Sequence, residues 1–334
     1  MTSTCWTRTQ DNNGIVWLML DRPGRSANAL SKVVLEELDA ILRDIALAVP
    51  RGLVIGSAKA SGFIAGADIK EFTTLSSVDE ARRLVRAGQS VLDRLEALPC
   101  PTVAMIEGFA LGGGLELALA CRYRVALDDG RLTLGLPEVM LGIHPGFGGT
   151  VRAVRLLGAA TALDLMLTGR NVRADKARRI GLIDALARDP EALKTLARDF
   201  VLTPRATHRP PLLQRALSWA PIRPFVKPRL LAQVRKKARQ EHYPAPYALI
   251  ELWFKHGAQG AVAYEAEADS IAQLFLTPTA RNLVRVFLLQ DALKAQGDKT
   301  LKAAEHVHVI GAGVMGADIA ALCATRGLNV TLQD

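Results

Sequence analysis

The chain has 334 residues, 49% of them apolar and 22% charged, a composition that sets aside fibrous and low-complexity proteins. No apolar run reaches the ~18 residues of a membrane helix, and MTSTCWTRTQDNNG at the N-terminus has the pattern of neither a signal nor a transit peptide. The net charge of +9 is local: residues 201–240 carry ten Lys/Arg and no Asp/Glu, against 32 basic and 33 acidic residues elsewhere. That segment reads as a solvated Pro/Arg-rich connector, or as a patch facing a polyanion, an anionic membrane surface or an acidic partner subunit. Four scattered cysteines, Cys5, Cys100, Cys121 and Cys323, form no C-x-x-C pair. This fits reduced thiols and a cytoplasmic location better than a disulfide framework or a zinc site.

In chain order, GIVWLMLDRP (Gly14–Pro23) is an apolar run closed by proline and is expected to be a strand. Leu30–Val49 carries Leu35, Leu38, Ile41, Leu42 and Ile45 at helical spacing, with Ser31 as its N-cap. A second strand is expected at Gly52–Ala58, a helix at Ala81–Leu98 that stops before Pro99, and a third strand at Pro101–Gly108. A glycine-rich turn then opens a short apolar helix. This alternation indicates an α/β domain of βα units. Val151–Ile183 is mostly helical, the Pro/Arg-rich Thr203–Pro228 interrupts it, and helices resume through Pro244–Gln290. Arg281–Gln296 reads as a long amphipathic connector.

Three loops carry the candidate chemistry: GFIAGADIKEF (Gly62–Phe72), EGFALGGGLELALACRYRVA (Glu107–Ala126) and LGLPEVMLGIHPGFGGTVRAVRLLG (Leu134–Gly158). Glycines after a strand let backbone approach a ligand closely, and a helix N-terminus presents free N–H groups. Two such loops can aim N–H donors at one oxygen. Glu116, in the first turn of the helix after the glycine triplet, and Glu138, after Pro137, are then candidates for general acid–base work. Each has a plain structural reading too, as a dipole complement and as a loop-end residue. No G-x-S-x-G, Cys/His pair or H-E-x-x-H occurs, so neither a covalent nucleophile nor a metal is indicated.

FIAGADIKEF, GFALGGGLELALACRYRVA and LPEVMLGIHPGFGGTVR resemble, in order and spacing, the successive signatures of the enoyl-CoA hydratase (crotonase) family. The resemblance covers roughly residues 14–184. It implies an α/β crotonase-type ββα spiral, assembled as a homo-oligomer, that acts on acyl-CoA thioesters without a cofactor. By motif, it places the oxyanion-hole N–H groups at Ala65 and Gly113 and the catalytic pair at Glu116 and Glu138. Ala67, Asp68 and Ile69 would line the substrate site, with Asp68 equally suited to capping or bracing its loop. His144 is expected to pack the third loop rather than to react. The implied reaction is reversible hydration of a trans-2-enoyl-CoA in fatty-acid β-oxidation, with Δ3-Δ2-enoyl-CoA isomerisation as the alternative in the same pocket.

Glu241–Trp253 and Arg281–Gly297 further resemble the region joining hydratase to dehydrogenase in the alpha-subunit family of the bacterial β-oxidation complex. HVHVIGAGVMGADIA then resembles the start of a 3-hydroxyacyl-CoA dehydrogenase. Gly311, Gly313 and Gly316 follow an apolar run and precede a helical stretch, and Asp334 lies after a second apolar strand. This is the context of a dinucleotide fingerprint, with NAD pyrophosphate over the helix N-terminus and Asp334 on the ribose. The rest of a dinucleotide-binding sheet does not follow, so neither tight NAD binding nor dehydrogenase activity is expected of an incomplete Rossmann βαβ start. The expected organisation is a core at 1–190, a helical and basic connecting region at 191–280, a linker helix at 281–305 and the truncated NAD-binding start at 306–334. Non-enzymatic readings of residues 201–240 are RNA binding and docking of a thiolase subunit. With only Trp219 and Phe225 as aromatics, the segment lacks the interleaved stacking platform of a single-strand binder, and nucleic acid is not expected as a partner.

Overall fold

The apolar runs of the N-terminal half become the centre of one sheet in the computed structural model of the chain, which describes residues 4–297 and 304–334. The strands are β1 (Trp6–Gln10), β2 (Ile15–Leu20), β3 (Gly52–Ser57), β4 (Thr102–Ile106), β5 (Phe109–Leu111), β6 (Tyr123–Leu127), β7 (Thr133–Gly135), β8 (Ala185–Ala187), β9 (His306–Ile310) and β10 (Asn329–Gln333). Six of them form a sheet in the order β1-β2-β3-β4-β6-β8, parallel throughout except for the β1–β2 hairpin. All of β4 and β6 is buried, as a parallel strand covered on both faces requires.

Side chains alternate between two cores at the strand period of two. Leu18, Leu53, Ile55, Ala104 and Ile106 face the larger core, which the helices Lys32–Leu47, Val78–Glu96 and Gly113–Ala120 complete. Ile15, Val54, Val103 and Val125 face a smaller one closed by Phe200 and Val201 of the helix Pro190–Leu202. Ser31 caps the first of these helices as expected, its hydroxyl accepting from the Val34 N–H.

Residues 191–280, expected as a connecting region, pack within the same unit as the core, which extends to Arg285. The helix Gly260–Phe275 buries Ala268, Ile271 and Phe275 with Ala81 and Val85 of the helix Val78–Glu96. The Pro/Arg-rich stretch is not a plain interruption: it contains the helices Leu212–Ala216 and Arg223–Arg235. Pro224 sits in the first turn of the second, where no intrahelical donor is needed, and Pro228 removes only one bond further on. Among the ten cations of residues 201–240, Arg205 pairs with Asp199, Lys227 with Glu251, and Arg223 donates to backbone carbonyls of Trp253 and Phe254. A helix spans Pro278–Ala295, ending ten residues before the expected limit of the linker at 281–305; residues 298–303 lie outside those described.

The second unit, from Val286, contains the end of that helix and then β9, the helix Val314–Thr325 and β10, with β9 and β10 parallel and in register from His306↔Asn329 to Ile310↔Gln333. No helix among the described residues is long and apolar enough to cross a membrane.

β5 and β7 pair outside the main sheet, and Ile64 bridges to Ala110 of β5. The first and second candidate loops are thereby held edge to edge. The approach is so close that a Cβ on Gly114 would lie 2.3 Å from the Ile64 carbonyl oxygen. That oxygen already accepts from Leu111, so it has nowhere to retreat. Gly114→Ala is expected to destabilise the fold by about 1–3 kcal/mol, the usual range for overpacking. Leu213→Ala, at a side chain 76% exposed, should shift stability by less than ~0.5 kcal/mol. Urea unfolding of the two variants checks the contrast.

Candidate active site

The first loop is tied down by a residue far from it in sequence. Asn28 is fully buried; its side-chain amide donates to the Leu20 carbonyl at 2.8 Å and to Ser57 Oγ at 3.0 Å, and its Oδ1 accepts from the Arg22 N–H at 2.9 Å. It therefore fastens the ends of β2 and β3, and its backbone carbonyl accepts the Ala65 N–H at 2.8 Å. This corrects the expectation for Ala65: a donor already engaged inside the fold is not available to a ligand.

Among the described residues, the donor with no carbonyl to bond lies two residues on. In the parallel bridge between Leu30 and Ala67, the Leu30 N–H donates to Gly66 O at 2.8 Å and the Asp68 N–H to Leu30 O at 3.1 Å. The Ala67 N–H points to the other side, as alternation in a parallel ladder demands. It faces the glycine triplet, where a Cβ on Gly113 would lie 3.3 Å from Ala67 N. Gly113 is the first residue of the helix Gly113–Ala120, so its N–H has no carbonyl one turn back to bond. Gly112, at φ 49° and ψ −127°, makes the turn that presents it.

Glu116 and Glu138 are brought to this turn from two sides. Glu116 is 2% exposed, and its Oε1 accepts from the N–H groups of Phe147 and Gly149, both at 2.7 Å. Glu138 sits in the short 3-10 helix Pro137–Leu141, and a Cβ on Gly112 would lie 3.3 Å from its Oε1. Both Glu138 oxygens are sealed from solvent, and neither has a hydrogen-bond partner among the described residues. Burial raises the Glu116 carboxyl well above its ordinary range, with the charges of Glu138 and Glu267 adding to it and the two N–H donors opposing. Burial also lifts Glu138, to about 8. Hydrogen bonds to the charged form stabilise it, so Glu116 has two donors ready for its anion, while the Glu138 side chain has none among the described residues.

Asp68 braces its own loop: Oδ1 accepts from the Lys70 N–H at 3.2 Å as the cap of the short helix Ile69–Phe72, and Oδ2 pairs with Arg22 at 2.9 Å. His144 is buried, with Nδ1 donating to the Pro145 carbonyl at 2.7 Å and Nε2 accepting from Ser270 Oγ at 2.8 Å. Burial pushes its pKa down to about 4, so the ring is neutral and joins its loop to the helix Gly260–Phe275. A groove of about 920 Å³ runs between the helices Lys32–Leu47 and Val78–Glu96, lined by Leu35, Leu75, Leu84 and Val91 and by charged side chains of both signs, among them Lys70 and Glu71. It borders the site at Gly88, where a Cβ would meet the Phe147 ring at 2.4 Å; the same ring lies 3.3 Å from a Cβ on Gly113.

In the second unit, Gly311 has φ 103°, and a Cβ on Gly316 would lie 1.7 Å from the Gly311 carbonyl oxygen, so turn and helix approach as a phosphate-binding turn requires. Nothing lies within 4 Å of a Cβ at Gly311 or Gly313, which leaves that backbone open to a pyrophosphate. Asp334 Oδ1 accepts from the Ala312 N–H at 3.2 Å and so stands beside the glycines. These residues fit the adenosine and pyrophosphate half of NAD.

Three residues with a part in this geometry are not singled out by the three signatures. Asn28 lies outside all of them, and Phe147 lies inside the third, where it is read only as part of the glycine-rich run. The third, Glu267, had a readable signal: it falls on the buried stripe Ala263, Glu267, Ile271 and Leu274 of its helix, where an unpaired charge is out of place.

Residues 10–217 match the family described as enoyl-CoA hydratase/isomerase, and residues 306–334 match 3-hydroxyacyl-CoA dehydrogenase, NAD binding domain. Fatty acid oxidation complex subunit alpha of Aliivibrio fischeri is 38% identical over 334 residues, an overlap of 98% of this chain and 48% of that protein. The protein of the same name from Shewanella loihica is 38% identical over 338 residues, with the same two shares. The chain thus spans about half the length of these relatives. Among solved structures, an enoyl-CoA hydratase from Bacillus anthracis is 28% identical with a TM-score of 0.55, covering 88% of this chain and 97% of its own. One from Bacillus halodurans has a TM-score of 0.61 at 19% identity, over 85% of this chain and all of its own, and bears on the fold alone. With a match across most of the first unit, and a fold that solved enoyl-CoA hydratases share, this chain belongs to the enoyl-CoA hydratase/isomerase family.

Proposed function

We propose that the chain catalyses reversible hydration of trans-2-enoyl-CoA thioesters to 3-hydroxyacyl-CoA, as the hydratase part of a longer β-oxidation protein. The observation that carries this reading is the pairing of two buried carboxyls in opposite hydrogen-bonding situations beside the N–H groups of Ala67 and Gly113, neither of which bonds to a carbonyl among the described residues. The thioester oxygen accepts from the N–H groups of Ala67 and Gly113, and electron density drawn toward it leaves C3 electrophilic. Glu116 takes a proton from water as the water oxygen bonds to C3. The electrons of the C2–C3 double bond pass into the enolate, which the two N–H groups hold, and Glu138 delivers its proton to C2. In the groove beside Gly88, the side chains of Leu35, Leu75, Leu84 and Val91 are the surface offered to the acyl chain. Ala67, Asp68 and Ile69 then contribute as a loop: Ala67 by its N–H, Asp68 by fixing the loop's path.

For the longer protein, NAD is the proposed cofactor, held at Gly311, Gly313, Gly316 and Asp334, where it would accept hydride from the 3-hydroxyacyl product. The domain division at 190, 280 and 305, a homo-oligomeric state, a cytoplasmic location and a thiolase subunit as partner of residues 201–240 belong to the same proposal.

Glu116→Gln and Glu138→Gln should each lower kcat for hydration by about 10²–10⁴-fold with KM within a few-fold, since each removes one proton-transfer group. Steady-state rates with a short enoyl-CoA check this, and near-normal rates in both variants would overturn the assignment. Stability should move the other way. Because the folded state holds the Glu138 proton up to about 8, its contribution to stability is complete below the ordinary carboxylate range and lost as pH rises through about 8. Glu138→Gln has no charge to bury, so its melting temperature should gain on the unsubstituted protein between about pH 5 and pH 9; thermal melts across that range would show the gap widening.

Δ3-Δ2-enoyl-CoA isomerisation is the second reading, favoured by one observation: with neither oxygen committed inside the fold, Glu138 is able to carry a proton between C4 and C2 unaided. Assays with a 3-enoyl-CoA should then show loss of isomerisation in Glu138→Gln but not in Glu116→Gln.

A further inference from the structure

Glu267 is 0% exposed, sits amid apolar packing, and has no Lys or Arg paired with it among the described residues. A carboxylate in such a place is costly to fold around unless hydrogen bonds answer it. Four donors do. The Gly148 N–H reaches Oε1 at 2.6 Å and Gln89 Nε2 the same atom at 3.0 Å; the Thr150 N–H reaches Oε2 at 2.9 Å, and the Thr150 hydroxyl also donates to Oε2. The pattern interlocks with that of Glu116, which takes the N–H groups of Phe147 and Gly149. Four consecutive backbone donors, residues 147–150, are thus shared alternately between two carboxyls approaching from opposite sides. Arg152 Nη1 donates to the Phe147 carbonyl at 2.7 Å and fixes the same segment at its start.

We infer that Glu267 is a positioning residue of the hydratase site, whose alternate bonds to Gly148 and Thr150 set the orientation of Glu116 and whose charge stands across that four-residue segment from it. The inference rests on the hydratase reading. Glu267 does not touch the proposed substrate. It acts through the segment 147–150: without it, Gly148 and Thr150 lose their acceptor, and the two N–H groups that aim Glu116 are free to rotate away.

The electrical part follows from the number of donors each carboxyl has. Glu267 has four, Glu116 two and Glu138 none among the described residues, so the fold answers the anions of the first two and offers nothing to the third. Burial raises Glu138, its own backbone N–H opposes the rise, and the Glu267 charge adds to it; Glu267 also raises Glu116. Burial raises Glu267 itself, against its donors. The other charged groups facing it are engaged elsewhere. On the helix Val78–Glu96, Arg86 donates to Gln89, while Asp93 and Glu96 pair with Arg152 of the helix Gly149–Leu157. Tyr264, on the helix of Glu267 itself, lies beneath the Arg152 guanidinium. The helix Ala245–His256 contributes Leu249 and Trp253 to the shared core, its Glu251 is paired with Lys227, and His256 lines a small cavity with Thr150.

The test measures kcat, KM and melting temperature across pH for the full chain, Glu267→Gln and Glu267→Ala, with carboxyl titrations of the same proteins by ¹³C NMR after Glu labelling. Glu267→Ala should lose about 100-fold in kcat, the scale of an ångström-sized misplacement of a reacting group, with KM changed less than about 3-fold. Glu267→Gln keeps the shape and some of the hydrogen bonds but removes the charge. Its kcat should fall less, and its pH–rate limbs and carboxyl titration steps should move to lower pH, because a like charge no longer holds the neighbouring protons. If the unsubstituted chain does not hydrate an enoyl-CoA, the functional reading fails, and the titration still decides on Glu267. Titration steps that stay in place in Glu267→Gln overturn the inference, as does a kcat loss in Glu267→Ala that merely tracks a lost folded fraction. If Glu267→Ala does not fold, the pH–rate limbs and titration steps of the Gln variant decide alone, supporting the inference if they move to lower pH and overturning it if they do not.

Discussion

Three neighbouring carboxyls buried in one place cannot all be ionised, and the rest of the site is organised around separating their states. Like charges at short range in a dry setting raise one another's affinity for protons, so the distribution of protons is decided by hydrogen bonds rather than by solvent. Backbone N–H groups of residues 147–150 supply those bonds to Glu116 and Glu267, and none reaches Glu138 among the described residues. The acid and the base of the proposed reaction are chemically the same group. What distinguishes them is a four-residue run of backbone whose donors serve Glu116 and Glu267 and leave Glu138 without any.

This arrangement needs a rigid frame, because a donor that drifts by an ångström ceases to discriminate. The frame is made by parallel sheet and close backbone contact. Asn28 closes the ends of β2 and β3 over the first loop, Ile64 locks that loop to β5, and Gly114 admits the second loop to within contact of the first. Helix Gly260–Phe275 then brings Glu267 and Ser270 against the third loop. Residues that look like an appended helical region are thus part of the wall behind the site, which is the physical reason they pack into the first unit.

The parts legible in the sequence were those whose signal is local. The glycine triplet followed by Glu116, the Pro137–Glu138 turn, the Ser31 cap and the main strands all depend on neighbours a few residues away, and all are where the residues indicated. The choice between Ala65 and Ala67 was not legible, because it depends on which way successive N–H groups face once the segment pairs with Leu30. That parity is set by register with a residue more than thirty positions earlier. Asn28 and Glu267 act across comparable or greater separations, so motif spacing is silent on both. Glu267 nonetheless left a trace, as a charge on the apolar stripe of its helix. Residues 201–240 show another limit of local signals: Pro224 stands in the first turn of a helix rather than past the end of one, and three of the ten cations bond to groups of the same unit.

A fold under selection for stability alone would not leave the Glu138 oxygens buried without partners, nor place an unpaired glutamate at the centre of a helix–helix interface. The two costs have different explanations. For Glu138 the cost is intrinsic to the chemistry, since any donor supplied by the fold would stabilise the anion and spoil the acid. For Glu267 the cost is met by four donors, so the group is satisfied, and what it contributes is direction: it holds two N–H groups that would otherwise compete for Glu116. An apolar residue at 267 would pack at lower cost but would leave Gly148 and Thr150 without an acceptor in a place water does not easily reach. The site is therefore least stable at Glu138, where reactivity requires it, and most heavily bonded one layer behind, where a fixed geometry lets the reactive carboxyl stay unbonded.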